Sequence, residues 1–224
     1  MRYLSERLHT AQSGGASDEG AQQHSIAAAQ RQRILAATER LVAERGCAGT
    51  SIKRIAKAAK VSSITFYDHF AGKEEAFVAA FDQAVKEVLA RLREEVPANQ
   101  PWPVRIREGL RVLLAAIVAD PRRARMCLVE APKGGPQLLA HYEAVLDGAV
   151  LKLREGRRLD GADENLPAPL EETTAGGLAF LLRERLEASG TDGIEEMLPR
   201  LVDIALRPYM ESADAPTLSA AESP

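Results

Sequence analysis

The stretch SSITFYDHFAGKEEAF, residues 62–77, brings together the hydroxyls of Ser62, Ser63, Thr65 and Tyr67, the imidazole of His69 and the ammonium of Lys73. It does so in a chain where aromatics make up only 4% of residues. Hydroxyl, imidazole and ammonium groups can bond phosphate oxygens or base edges, and an apolar neighbour such as Ile64 can meet a thymine methyl. The other chemistries have little to work with. There is no Gly-rich phosphate loop, no H-E-x-x-H and no G-x-S-x-G, and two of the four histidines, His9 and His24, lie in a leader without apolar periodicity. No catalytic residue set and no cofactor site is expected. Cys47 and Cys127 stand far apart with no C-x-x-C, so neither a metal site nor a disulfide framework is signalled, and two buried, reduced thiols are expected.

Charge distribution agrees with a polyanion as partner. The chain of 224 residues carries a formal charge of −3, yet residues 31–75 sum to +4 and the remainder to about −7. A basic module on an acidic body neutralises phosphate locally without a net positive protein, although lysines on a solvated helix face would give the same count. No apolar run is long enough to span a bilayer and no secretory leader is evident, so a cytoplasmic protein with no membrane contact is expected.

The elements that must position these groups read as helices. Ala, Leu, Arg and Glu recur while strand-forming residues are sparse, giving an all-α expectation. Residues 1–25 lack apolar periodicity and read as a flexible arm. Ile34, Leu35, Leu41 and Val42 mark a first amphipathic helix ending at Gly46. Ser51 and Ser62 can cap two short helices, with Ile55, Ala56, Ala59, Phe66 and Phe70 facing inward. A longer helix starts near Lys73, with Glu74 and Glu75 in its first turn, and stops before Pro97. Further helices follow over "VRIREGLRVLLAAIVAD", after the Asp120-Pro121 cap, along Leu138 to Leu153, and over 170–188 and 194–210. This divides the chain into an arm (1–25), a three-helix helix-turn-helix domain (26–75), a larger helical domain (76–210) and a flexible tail (211–224).

The segment "RILAATERLVAERGCAGTSIKRIAKAAKVSSITFYDHFAGKEEAFVAAF" resembles the N-terminal DNA-binding domain of the TetR family of transcriptional repressors. The marks are Thr50-Ser51 followed by Ile52 and Ile55-Ala56, then Val61-Ser62, Phe66-Tyr67, His69-Phe70 and Lys73-Glu74-Glu75. The resemblance implies that Thr50 and Ser51 approach phosphate and that Ser62, Ser63, Ile64, Thr65 and Tyr67 enter the major groove. Tyr67, His69 and Lys73 would grip the backbone. Three positions depart from the family pattern. Lys60 stands at the usual turn glycine, Ser63-Ile64 replaces a frequent Lys-Gly pair, and Asp68, which would repel phosphate, is expected to turn toward Arg45 or a neighbouring lysine.

The C-terminal half is similar to the family's effector-binding and dimerisation domain in layout. An apolar pocket for a largely apolar small molecule draws its wall candidates from Trp102, Met126, Cys127, His141, Tyr142, Phe180 and Met197, although for each one taken separately core packing is the favoured reading. By the same resemblance the last two helices, one carrying Gly176-Gly177, form a homodimer. Two recognition helices about 34 Å apart would then read a near-palindromic double-stranded operator, and a ligand would release it. The rival reading is a helical protein–protein adaptor, which keeps the apolar stripes and has no need of Tyr67, His69 and Lys73.

Overall fold

Two serine hydroxyls fix the corners of the N-terminal region. Ser51 is extended and accepts from Arg54 N at 3.4 Å, opening α2 (Ile52–Ala59), while Ser62 accepts from Thr65 N at 2.9 Å, opening α3 (Ser63–Tyr67). Each bond satisfies a backbone donor left orphaned by the first helical turn. In the computed structural model, which describes residues 6–159 and 165–210 with side chains from residue 22, these helices lie between α1 (Glu6–Gly49) and α4 (Lys73–Glu95). There follow α5 (Trp102–Ala119), α6 (Pro121–Arg125), α7 (Pro136–Arg154), α8 (Leu170–Ser189) and α9 (Leu198–Leu206). All regular elements among the described residues are helical, and none is long and apolar enough to cross a membrane.

α1 breaks where the sequence places its end, because Gly46 takes φ 72°. Its start differs from expectation. Helix extends back to Glu6 through residues expected as a flexible arm, and residues 22–29 are exposed throughout. Over residues 22–29 Ala and Gln favour helix without an apolar stripe, so that part is helical by propensity and has no core to bury. The last expected helix is shorter than its apolar pattern. Pro199 sits in the first turn of α9 and Pro208 just beyond its end, and single 3₁₀ turns, Glu195–Met197 and Arg207–Tyr209, replace the ends of the expected helix. The expected tail, 211–224, lies outside the described residues, as do residues 1–5 of the arm.

Three apolar clusters hold the helices. The first packs Ile34, Leu35, Val42, Ile55, Phe66 and Phe70 against Phe77 and Phe81 of α4, and also takes in Met126 and Leu138 from beyond α5. The N-terminal core therefore runs past residue 75 into α4. The second cluster joins α5, α7, α8 and α9 around Leu114, Val129, Leu182 and Leu201. The third is small: Trp102, Leu206 and Tyr209, with Trp102 and Tyr209 edge to face at 5.1 Å. Gly156 makes this contact possible, since a Cβ there would stand 2.7 Å from the Trp102 ring.

A charged network seals the same end of the molecule. Glu171 is fully buried and receives Arg157 Nε at 2.7 Å, Arg157 Nη2 at 3.0 Å and Tyr209 Oη at 2.9 Å. Arg157 also donates to the carbonyls of Leu166 and Pro167, tying down the chain that enters α8. Burial opposes the Glu171 carboxylate, but the hydrogen bonds from Arg157 and Tyr209 outweigh it and hold its pKa below the usual carboxylate range. A carboxylate with a depressed folded-state pKa stabilises the fold above its unfolded pKa, and that contribution disappears as pH falls through the folded value. Glu171→Gln is therefore expected to destabilise the protein by about 2 kcal/mol at neutral pH, because Arg157 loses its charged partner. In thermal melts the gap between wild type and variant should narrow as the pH is lowered past about 4. A constant gap would show that packing, and not charge, accounts for the loss.

Candidate nucleic-acid interface

The short α2–α3 unit has a clear inside and outside. Phe66 is 0% and Phe70 2% exposed, with ring centroids 5.7 Å apart, and Arg31 stacks its guanidinium 5.1 Å from the Phe70 ring. With those rings buried, the helical repeat turns Ile64 and Tyr67 outward, at 76% and 57% exposure. Ser51, Ser62 and Ser63 are exposed beside them and Thr65 is half-buried. Ser62 and Thr65 spend bonding capacity on one another, with their hydroxyl oxygens 2.9 Å apart in addition to the cap bond.

The chain between α2 and α3 turns at Lys60, which adopts φ 55°, ψ 48°. This left-handed conformation favours glycine, and a side chain there is strained by about 1 kcal/mol. Lys60 nevertheless closes the helix, its N–H reaching the carbonyls of Ala56 and Lys57. Its ammonium joins Lys53 and Lys57, which are likewise exposed, on the surface leading to α3. Arg54 is drawn back onto the Gly49 carbonyl, and Arg33 donates to the carbonyl of Ala59.

Two other expected contact residues are held from behind. His69 Nε2 lies 3.3 Å from Gln30 Oε1, and Lys73 Nζ donates to the Thr50 carbonyl at 3.4 Å; both side chains are half-buried. Thr50 itself departs from expectation. Only 1% exposed, it donates its hydroxyl to Gly46 O at 2.9 Å, closing the corner between α1 and α2 instead of facing a phosphate. Asp68 also differs: it is exposed at the end of α3, and among the described residues no ion pair joins it to Arg45 or a lysine. An exposed ion pair gains too little to overcome side-chain entropy and hydration.

The expected pocket residues do not gather around one cavity. Trp102 packs in the third cluster with its N–H on Lys152 O at 2.8 Å, whereas Met126, Cys127 and Tyr142 belong to the first and Met197 to the second. His141 is exposed and pairs with Asp82 Oδ1 at 2.8 Å, and Phe180 is 49% exposed under the Arg183 guanidinium. The thiols are unbridged; burial, then the charge of Glu130, pushes Cys47 up to about 11. No group of three or more metal-binding side chains occurs among the described residues.

Sequence reasoning did not single out the joint between the two halves. Arg123 of α6 donates Nε to Glu39 Oε1 of α1 at 2.6 Å and also binds Glu87 of α4, while Arg125 Nε reaches Ala43 O at 3.2 Å. The Arg-rich run after the Asp120-Pro121 cap was the available signal. Beyond it a single π turn, Met126–Glu130, brings Glu130 against Gly46, where a Cβ would lie 2.8 Å from its carboxylate oxygen.

A five-residue helix projecting from a buried aromatic pair, set behind a capped turn and flanked by exposed lysines, is the geometry of a helix-turn-helix DNA-binding regulator. Residues 34–80 match the family described as bacterial regulatory proteins, tetR family. Over that segment the chain is similar to the DNA-binding domain of the TetR family. It is 29% identical over 191 residues to the HTH-type transcriptional repressor AcnR of Corynebacterium efficiens, covering 79% of this chain and 92% of that protein. Its fold is similar to that of the fatty acid degradation regulator FadR of Bacillus halodurans, with TM-score 0.69, 17% identity and coverage of 79% and 94%. It is also similar to FadR of Bacillus subtilis in complex with stearoyl-CoA, with TM-score 0.63, 16% identity and coverage of 79% and 98%. The protein is a TetR-like transcriptional regulator.

Lys60 supplies a test that separates strain from charge. Lys60→Gly should raise stability by about 1 kcal/mol in urea melts while lowering DNA affinity. The slope of log affinity against log salt should fall by about one for each bound subunit. Unchanged salt dependence would place the Lys60 ammonium away from the phosphates.

Proposed function

We propose that the protein is a dimeric repressor that occupies a near-palindromic operator through α2 and α3 and leaves it when a small molecule binds the C-terminal domain. The observation that carries the DNA contact is the outward set Ser63, Ile64 and Tyr67 beside Lys53, Lys57 and Lys60, opposite the buried Phe66. A protein–protein adaptor would not require this pairing of hydroxyls with cations. Ser51, Ser62, Thr65, His69 and Lys73 complete the contact, with Thr50 acting through the corner it closes.

The dimer face is assigned to α7 and α8, in place of the last two helices. α9 turns inward, with Leu201 and Ala205 both at 0% exposure. Val145 and Leu151 are exposed on α7 along the stripe that includes Ala144 and Gly148, and Phe180 is exposed on α8 along the stripe of Thr173 and Gly177. Nothing lies within 4 Å of a Cβ built at Gly148, Gly176 or Gly177, so a partner helix can approach closely there. An acyl chain or a similar apolar molecule is the ligand class this reading favours, consistent with the stearoyl-CoA bound by the Bacillus subtilis neighbour. Its release of DNA would run through the Arg123–Glu39–Glu87 joint, a polar tie between the domains.

Fluorescence anisotropy on the intergenic duplex beside the gene, against a scrambled duplex, tests the DNA half. Wild type should prefer the intergenic duplex and lose affinity steeply with salt, and Tyr67→Ala should weaken that binding about tenfold or more. Equal weak binding to both duplexes would favour the adaptor. For the dimer, sedimentation of Phe180→Glu should show the self-association constant weakened by at least about thirtyfold, while an unaltered constant would move the interface elsewhere.

A further inference from the structure

Helix α3 is short, and its inventory of base-reading groups can be read completely. Over Ser63–Tyr67 it holds no Arg, Lys, Asn, Gln, Asp or Glu, the side chains that pair bidentately with guanine or adenine or accept from cytosine. Its hydroxyls are partly committed, since Ser62 caps the helix and Thr65 bonds Ser62. Tyr67 stands at the far end of the helix, its ring edge-on to Phe66 at 5.8 Å. In the first turn, where a recognition helix presents residues to base edges, that leaves the Ser63 hydroxyl and the Ile64 side chain. Among the described residues Ile64 is the most exposed of the large apolar side chains at 76%, and it projects from a surface whose other prominent groups are cations and hydroxyls, with the Asp68 carboxylate at the far end of the helix. A lone exposed isoleucine is ordinary; one at the tip of a helix stripped of every bidentate reader is placed to recognise an apolar mark.

We infer that Ile64 selects the operator by packing on the C5 methyl of a thymine, so that discrimination by α3 rests on a methyl contact instead of bidentate purine recognition. This rests on the DNA-binding reading above. Lys53, Lys57 and Lys60 then serve the backbone and set affinity, while Ile64 sets the preferred base. Uracil differs from thymine by that methyl alone, so replacing the contacted thymine removes the contact and leaves base pairing intact.

The test uses the full chain. A duplex is selected from a random library, and each thymine in both half-sites is replaced in turn by uracil; affinities are measured for wild type, Ile64→Ala and Ile64→Val. One thymine per half-site should be sensitive in wild type, weakening binding about fourfold when its methyl is lost. The same replacement should change the affinity of Ile64→Ala by less than about 1.5-fold, with Ile64→Val retaining most of the effect. Because Ile64 touches so little of the protein, melting curves of both variants should overlay that of wild type. The inference is overturned if no thymine is sensitive, or if Ile64→Ala keeps the full sensitivity. It is also overturned if 7-deazapurine replacements, which remove N7, dominate the map, since lysine would then be the reader. If wild type selects no duplex at all, the DNA-binding reading itself fails, an outcome distinct from methyl-insensitive selection.

Discussion

The burial of one phenyl ring governs the functional surface. Phe66 sits at 0% exposure in the cluster built by Ile34, Ile55, Phe70 and Phe77, and no other residue of α3 is buried. A five-residue helix is far too short to persist by propensity, so its register is set by this ring and by the Ser62 cap at its start. Once both are fixed, the 3.6-residue repeat leaves Ser63, Ile64 and Tyr67 no direction but outward. The strained Lys60 is tolerated for the same reason: the surrounding packing over-determines the turn, and a cation is delivered to the rim of the surface.

The same cluster ties the DNA-binding surface to the rest of the molecule. Phe77 and Phe81 of α4 complete the N-terminal core, and Met126 and Leu138 extend it under the larger domain. α4 is thus shared by both halves, and the ionic joint of Arg123 with Glu39 and Glu87 spans α1, α4 and α6. A shift of α6 relative to α4 would have to break or carry this joint, which gives ligand binding in the larger domain a physical route to the orientation of α3. A ligand acts through that route only so far as it prefers one arrangement over the other.

Much of the N-terminal half was legible in the sequence because its signals are local. Capping serines, Gly46 at a helix end, acidic residues opening α4 and inward aromatics each act within a few residues, so their consequences need no knowledge of the fold. The larger half depends on long-range partners that residue type does not reveal. Trp102 and Met126 were open to either pocket wall or core, with core the favoured reading, and both are core, because the indole N–H found the Lys152 carbonyl and Met126 joined the N-terminal cluster. No local signal marks Glu171 as a core residue, yet it is fully buried, because Arg157 and Tyr209 converge on it from distant positions. Residues 6–25, read as an arm for want of an apolar stripe, are helical in the structure. Thr50 was visible as a polar residue at the right place, but not as one whose hydroxyl is consumed by Gly46.

The central claim is that a surface organised behind Phe66 meets DNA. Hydrogen–deuterium exchange of the full chain, with and without a duplex selected from a random library, tests it directly. New protection should concentrate between Ser51 and Lys73, with the α7–α8 face unchanged. Protection confined to α7 and α8, or none anywhere under conditions where the duplex is bound, would contradict it.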